Sequence, residues 1–191
     1  MSLLKIAHIG HPVLRQTART LTLEELASPK IQTFIDNLIE TMRDANGAGL
    51  AATQVYETIQ VCAIEVKDNP RYPYKPNIPL TILVNPEITV LSEEKFENFE
   101  GCLSVPNMRG RVMRHAEIRV NYLDRHGQAH EIEVRGITAG TYQHEVDHLL
   151  GTIFLDHVVD TKSLCTWIEF DRHHRETFVK EAEAVVARWG A

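Results

Sequence analysis

The run His144-Glu145-Val146-Asp147-His148 constrains this chain more than any other stretch, because it falls where the apolar pattern turns helical, from Ile137 to Leu150. Residues four apart share one helical face, so both imidazoles can reach the same metal ion while Glu145 reaches a water bound to it. The same pattern also suits an ordinary helix whose histidines face water. Two histidines do not complete a catalytic centre, which usually has three protein ligands and one open position. The continuation HEVDHLLGTIF supplies Gly151 of a longer metalloprotease pattern but places Phe154 where its last histidine would stand, and phenylalanine binds no metal. Glu169 stands where another peptidase class draws its third ligand. Cys102, within Glu100-Gly101-Cys102-Leu103-Ser104, is the remaining candidate. A thiolate flanked by glycine can approach a metal closely, and a Cys-His-His set with one open position is a legitimate hydrolytic site.

Composition bounds the rest. A chain of 191 residues, 43% hydrophobic and 24% charged, is expected to form one soluble domain over residues 1–191. Its net charge of -6 disfavours DNA or an anionic membrane as a partner. No apolar stretch reaches the ~18 residues of a membrane span, and the opening MSLLKIAHIGHPVLRQ lacks the features of a secretory leader, so the cytoplasm is the expected compartment. Three cysteines cannot all pair within the chain, and Cys62 and Cys165, in apolar contexts, are expected to be buried thiols.

Ser28-Pro29 followed by Ile31, Phe34, Ile35, Leu38, Ile39 and Met42 predicts an amphipathic helix that closes at Asn46-Gly47, with GAGLAATQ as a loop after it. Ile59–Val66, Leu80–Val84, Ile88–Glu97, Glu117–Leu123 and His130–Val134 read as strands, the last two joined as a hairpin through Asp124-Arg-His-Gly127. Ile153–Val159 reads as extended, and one helix is expected from Ser163 to Arg188, fraying in its tail. Pro70, Pro73, Pro76 and Pro79 recur every third residue, which predicts a stiff surface excursion rather than a ligand for a polyproline reader. Asp147 is expected to be a solvated helix residue, Glu100 either a hydrogen-bond partner of the site or an ordering residue of its loop, and Arg109 a partner of a nearby acid or a surface residue.

GAGLAATQ (47–54), EGCLS (100–104) and QHEVDHLLG (143–151), in this order, resemble the three signature motifs of peptide deformylases. GHPVLRQ and VPNMRGRVMRHAEIRVNYLDRHG are similar to the same family, so the resemblance spans roughly residues 5–160. It implies an α+β fold, a single domain of antiparallel and mixed strands around a central helix carrying HExxH, with a C-terminal helix. It also implies removal of the formyl group from N-formylmethionyl nascent chains, releasing formate. Carried over by position, Cys102, His144 and His148 become the metal ligands and Glu145 the general acid and base. Gln54 with the Leu103 backbone N–H becomes the oxyanion hole, and metal-bound hydroxide attacks the formyl carbon. Gly47, Ala48, Gly49, Leu50 and Gly101 would line the substrate, and Ile137, Gly140 and Thr141 would wall a methionine pocket, whose depth is in question because Gly140 is small for that position. The implied native ion is iron(II), with zinc or another divalent ion held in a purified sample. Transient ribosome contact is part of the same implication, although residues 160–191 carry five basic and six acidic side chains and no RNA-binding tail. A zinc peptidase using Glu169 and a non-catalytic binder of formylated peptide ends are the competing functions.

Overall fold

Structural description is based on a computed structural model and covers residues 2–67 and 75–190. Most of the Pro-spaced segment, 68–74, therefore lies outside the described residues, and Pro79 belongs to a strand.

The helix predicted after Ser28 is present as Pro29–Asp44 (α2), following a short helix Leu23–Ala27 (α1) that Thr22 and Glu25 close with a capping box. Ser28 caps α2 by accepting from the Ile31 N–H, and Ile35, Leu38, Ile39 and Met42 form the buried face. Its end differs in detail from the expectation. Asn46, not Gly47, takes the left-handed conformation (φ 51°), with Asn46 N–H donating to the Arg43 carbonyl and Gly47 N–H to that of Met42. Gly47 is needed for another reason: a Cβ there would lie 2.9 Å from Leu103 Cδ1.

Two antiparallel sheets flank the HExxH helix. The larger runs in the order β1 (Gly49–Ala51), β2 (Val61–Val66), β3 (Ile78–Val90), β6 (Glu117–Leu123), β7 (Ala129–Arg135). The smaller is β4 (Lys95–Cys102), β5 (Val105–His115) and β8 (Cys165–Thr166). Part of the expected loop GAGLAATQ is thus an edge strand, followed by a 3-10 turn over Ala52–Val55. The expected strand Ile88–Glu97 is two strands, its first residues ending β3 and its last beginning β4. The β6–β7 hairpin falls where predicted, with Gly127 (φ 79°) donating to the Asp124 carbonyl.

Between the sheets lies α3 (Gly136–Leu149), in which every residue except His144 and Asp147 is buried. A helix buried on nearly all sides cannot be the surface helix that the HExxH pattern alone left open. Ile153–Val159 contains a 3-10 turn, Phe154–His157, instead of a strand. The C-terminal helix is two, α4 (Trp167–His173) and α5 (Arg175–Trp189), broken at His174 so that Phe170 and Phe178 both pack against Phe99. The tail does not fray before Trp189, since Val185, Val186 and Trp189 pack on the cluster of Phe96, Ile137 and Ala182. No helix among the described residues is long and apolar enough to cross a membrane.

Candidate active site

Helical spacing on α3 puts Thr141, His144, Glu145 and His148 along one side. Cys102 comes to them from the end of β4, where the ladder shifts register between the pairs Gly101–Arg109 and Cys102–Val105. Such a bulge re-aims the side chain that follows it. The ligating atoms of Cys102, His144 and His148 all lie within 4.8 Å of one another, and Cys102 Sγ is 3.2 Å from His148 Nε2. Burial would push the Cys102 thiol up, but the charge of His148 and the bonds from both imidazoles hold it well below the usual thiol range. That favours the thiolate, the form that binds metals.

Glu100 accepts from His144 Nδ1 at 2.8 Å, which puts a proton on Nδ1 and leaves Nε2 as the nitrogen available to the cluster. The Glu100 carboxylate is itself buried, which would raise its pKa, yet Arg114 holds it well below the carboxylate range through bonds of 2.8 and 2.9 Å. Arg114 extends the chain to Asp147 (2.6 Å), and Asp147 also receives His157 Nε2 at 2.9 Å. Asp147 is therefore an anchored residue, not the solvated one expected, and of the two roles open to Glu100 the structure selects the hydrogen-bond partner.

Glu145 is buried, and burial raises its pKa against the opposing pull of His144 and His148. Its Oε2 has no hydrogen-bond partner among the described residues. The backbone of β1 passes directly over this carboxyl: a Cβ on Gly49 would lie 2.3 Å from Glu145 Oε1. Gln54 is fixed by the Ala51 N–H, which donates to Oε1 at 2.8 Å, so its amide nitrogen points at Ser104 Oγ (3.1 Å) and Cys102 Sγ (3.4 Å). N-terminal chain holds these segments in place, with Ala7 N–H bonded to the Gln54 carbonyl and Ile9 N–H to that of Ser104.

Gly47, Ala48, Gly49, Gln54, Gly101, Cys102, Leu103, Gly140, Thr141, His144 and Glu145 all line one cavity. Two of the expected substrate-lining residues do not. Leu50 faces the core beneath β1 and β2, and Ile137 packs among Phe96, Phe99 and Phe178. The small Gly140 does not deepen the pocket, because Phe96 Cζ and Asn98 Nδ2 lie 3.1 and 3.5 Å from where its Cβ would be. Lys75, Asn98 and Phe99 line the cavity without having been singled out in the sequence. Lysine next to a proline-rich stretch and asparagine in a polar strand carry no pattern that would mark them. Arg109 is not a surface residue. It is fully buried, its guanidinium carbon 3.9 Å from the Phe170 ring centre and 4.5 Å from that of Trp167, and it donates to the Phe99 carbonyl.

Glu169 is excluded as a third ligand, because it lies outside the cluster and pairs with Arg172 and His173. Phe154 is buried with its ring stacked at 6.4 Å from His144. Cys62 is buried as expected, whereas Cys165 is only partly so, because it forms the exposed edge of the smaller sheet.

One soft and two borderline donors, two of them buried and His144 partly so, with an acid beside them and a hydrogen-bonded imidazole among them, suit a divalent ion such as iron(II) or zinc. The fold and this donor set define a metal-dependent hydrolase. A family model described as polypeptide deformylase matches residues 3–164. Peptide deformylase 2 of Nostoc sp. is 40% identical over 168 residues, covering 88% of this chain and 93% of its own. The peptide deformylase of Saccharophagus degradans is 39% identical over 176 residues, 92% of this chain and 96% of its own. Among solved structures, the Met-Ala-Ser-bound class I type b enzyme of Acinetobacter baumannii superposes with a TM-score of 0.79 at 38% identity, covering 82% of this chain and 99% of its own. The Thermotoga maritima peptide deformylase gives 0.74 at 31% identity, with coverage of 84% and 100%. The chain belongs to the peptide deformylase family, enzymes that remove the N-terminal formyl group from nascent peptides.

Proposed function

We propose that the chain hydrolyses the formamide bond of N-formylmethionyl peptides at this cavity, with Cys102, His144 and His148 holding one divalent ion. The observation that carries this reading is the buried Glu145 carboxyl, set beside three ligands with one oxygen unpartnered among the described residues. A bound ion supplies the chemistry the side chains lack, lowering the pKa of water toward ~7 and polarising a carbonyl.

The chain's own residues do the rest. Glu145 takes the proton of the attacking water, and the burial that raises its pKa makes it a better acceptor for that proton. It then delivers the proton to the leaving amine as the C–N bond breaks, giving formate and a free N-terminus. Gln54 Nε2, its amide oriented by the Ala51 N–H, and the Leu103 N–H donate to the developing oxyanion, donors of a kind typically worth about 2.7–4 kcal/mol each. β1 is an edge strand along the cavity, so its backbone is available to an extended peptide. We assign iron(II) as the native ion by family resemblance and zinc as an ion the same donors hold readily. The cytoplasm, where nascent chains emerge, is the compartment this reading requires, and any ribosome contact is a transient one.

The deciding test is Glu145→Ala. Metal content and the circular dichroism spectrum should stay those of the parent, while formate release from a formyl-Met tripeptide falls about 100- to 10,000-fold or further, since one residue performs both transfers. Metal retained with turnover within tenfold of the parent would refute the proton-carrier role. Cys102→Ala should lose the ion and the activity together.

A further inference from the structure

We propose that Lys75 is a specificity-determining residue that lets the pocket for the first side chain take an oxygen acceptor as well as a thioether. This rests on the deformylase reading above, which fixes where the first residue must lie. Lys75 lines the cavity, and its Nζ donates to Thr141 Oγ1 at 3.0 Å. Thr141 stands one helical turn before His144 and Glu145 on the same side of α3, so the hydroxyl that holds the ammonium is offset about one turn's rise, ~5.4 Å, along the helix from those two residues. A methionine side chain, four heavy atoms long, spans that distance when its formyl carbon is at the ligand cluster. The end of the side chain therefore arrives where Lys75, Thr141 and the buried Asn98 line the wall.

Such a wall is unusual for a thioether. Sulfur is a weak acceptor, and an ammonium desolvated against it gives up hydration for little return. An S=O, amide or carboxylate oxygen of the same reach would accept a charge-assisted bond instead. Burial here already tells on the amine, whose pKa is pushed down to about 8 against the pull of Glu100 and Glu145. The class of substrate assigned is thus N-formyl peptides whose first side chain is as long as methionine and ends in an oxygen acceptor, methionine sulfoxide foremost.

The test uses metal-loaded full-length protein and two tripeptides that differ by one oxygen, formyl-Met-Ala-Ser and its sulfoxide. In the parent, kcat/KM for the two should agree within tenfold. Lys75→Met should lower the sulfoxide-to-thioether ratio of kcat/KM about 10- to 100-fold, mainly through KM, with metal content kept. A ratio unmoved by Lys75→Met would overturn the assignment. So would loss of both activities with the metal, which would make Lys75 part of the fold. Calorimetric binding of the deformylated products reads the same preference without turnover: equal affinities of the two free tripeptides for parent and variant would refute the inference even if deformylation itself proceeds. A parent that releases no formate from either peptide would instead refute the reading on which it rests.

Discussion

The two sides of the β4–β5 hairpin each bury an arginine, and they do so by opposite means. On one side Arg114 is surrounded by carboxylates, bonded twice to Glu100 and once to Asp147, and through Glu100 it orients the ring of His144. On the other side Arg109 lies among the rings of Phe99, Trp167, Phe170 and Phe178, between 3.9 and 5.6 Å from their centres, and donates to a backbone carbonyl. Both side chains are less than a twentieth exposed. A guanidinium tied to carboxylates transmits charge and orientation to whatever those carboxylates touch. One held by aromatic faces contributes chiefly packing. The carboxylate side therefore serves the ion site, and the aromatic side serves the attachment of α4 and α5.

Removing Arg114 should break this division most severely. Arg114→Met leaves Glu100 buried without its cation, a loss of about 3–5 kcal/mol by the usual cost of breaking a buried pair. The melting temperature and denaturant midpoint should both fall, and metal should be lost with them. A variant that keeps full stability and metal would show that Glu100 does not need this partner.

Glu100→Gln is the milder cut on the same side, keeping shape while removing charge. Metal affinity should drop about 10- to 100-fold, the usual consequence of disturbing the partner of a ligating histidine. Linkage gives it a pH signature in the metal-free protein. The folded Glu100 is held well below its ordinary value, so its stabilising contribution is present above the unfolded carboxylate pKa of about 4.3 and is lost as pH falls through the folded value. The stability gap between parent and Glu100→Gln should accordingly be full at neutral pH and close in acid. A gap independent of pH would mean the difference is not electrostatic.

The smallest effect belongs to the aromatic side. Arg109→Met exchanges ring contacts of the cation for apolar packing and should cost about 1–2 kcal/mol, with metal content and the kcat for formyl-Met substrate unchanged. A loss of metal in this variant would erase the contrast between the two sides.

This contrast also explains what could be read from the chain beforehand. The β6–β7 hairpin was legible to within a residue because its strands alternate and its turn is Asp-Gly closed. β5 was not legible: Arg109, Arg111 and Arg114 with Asn107 give it the look of a surface segment, and only its partners across space show that two of those arginines are buried. Strand β4 hides in the same way, since Asn98 and Glu100 are polar residues on an inward face. The break between α4 and α5 has no glycine or proline to announce it and comes from fitting Phe170 and Phe178 around one guanidinium. The cluster of Cys102, His144 and His148 was legible in two ways, the histidines from their helical spacing and Cys102, with Gln54 and Glu145, through the resemblance of the motifs. Lys75 and Arg114 act through neighbours that the sequence places 66 and 14 residues away from them, Thr141 and Glu100, and no local pattern reports such pairings.

The aromatic cage around Arg109 bears on where this protein can be cut. The family match stops at residue 164, yet three of the four rings that shelter Arg109, those of Trp167, Phe170 and Phe178, come from beyond it. Residue 165 onward also supplies the third strand of the sheet that carries Cys102. A chain shortened at that boundary would expose Phe99 and a guanidinium built for the interior, directly behind the strand leading to the ligand. Residues beyond the family model thus pack into the same core as those within it, and a trimmed version made for crystallisation or for an inhibitor screen should keep every residue through Trp189.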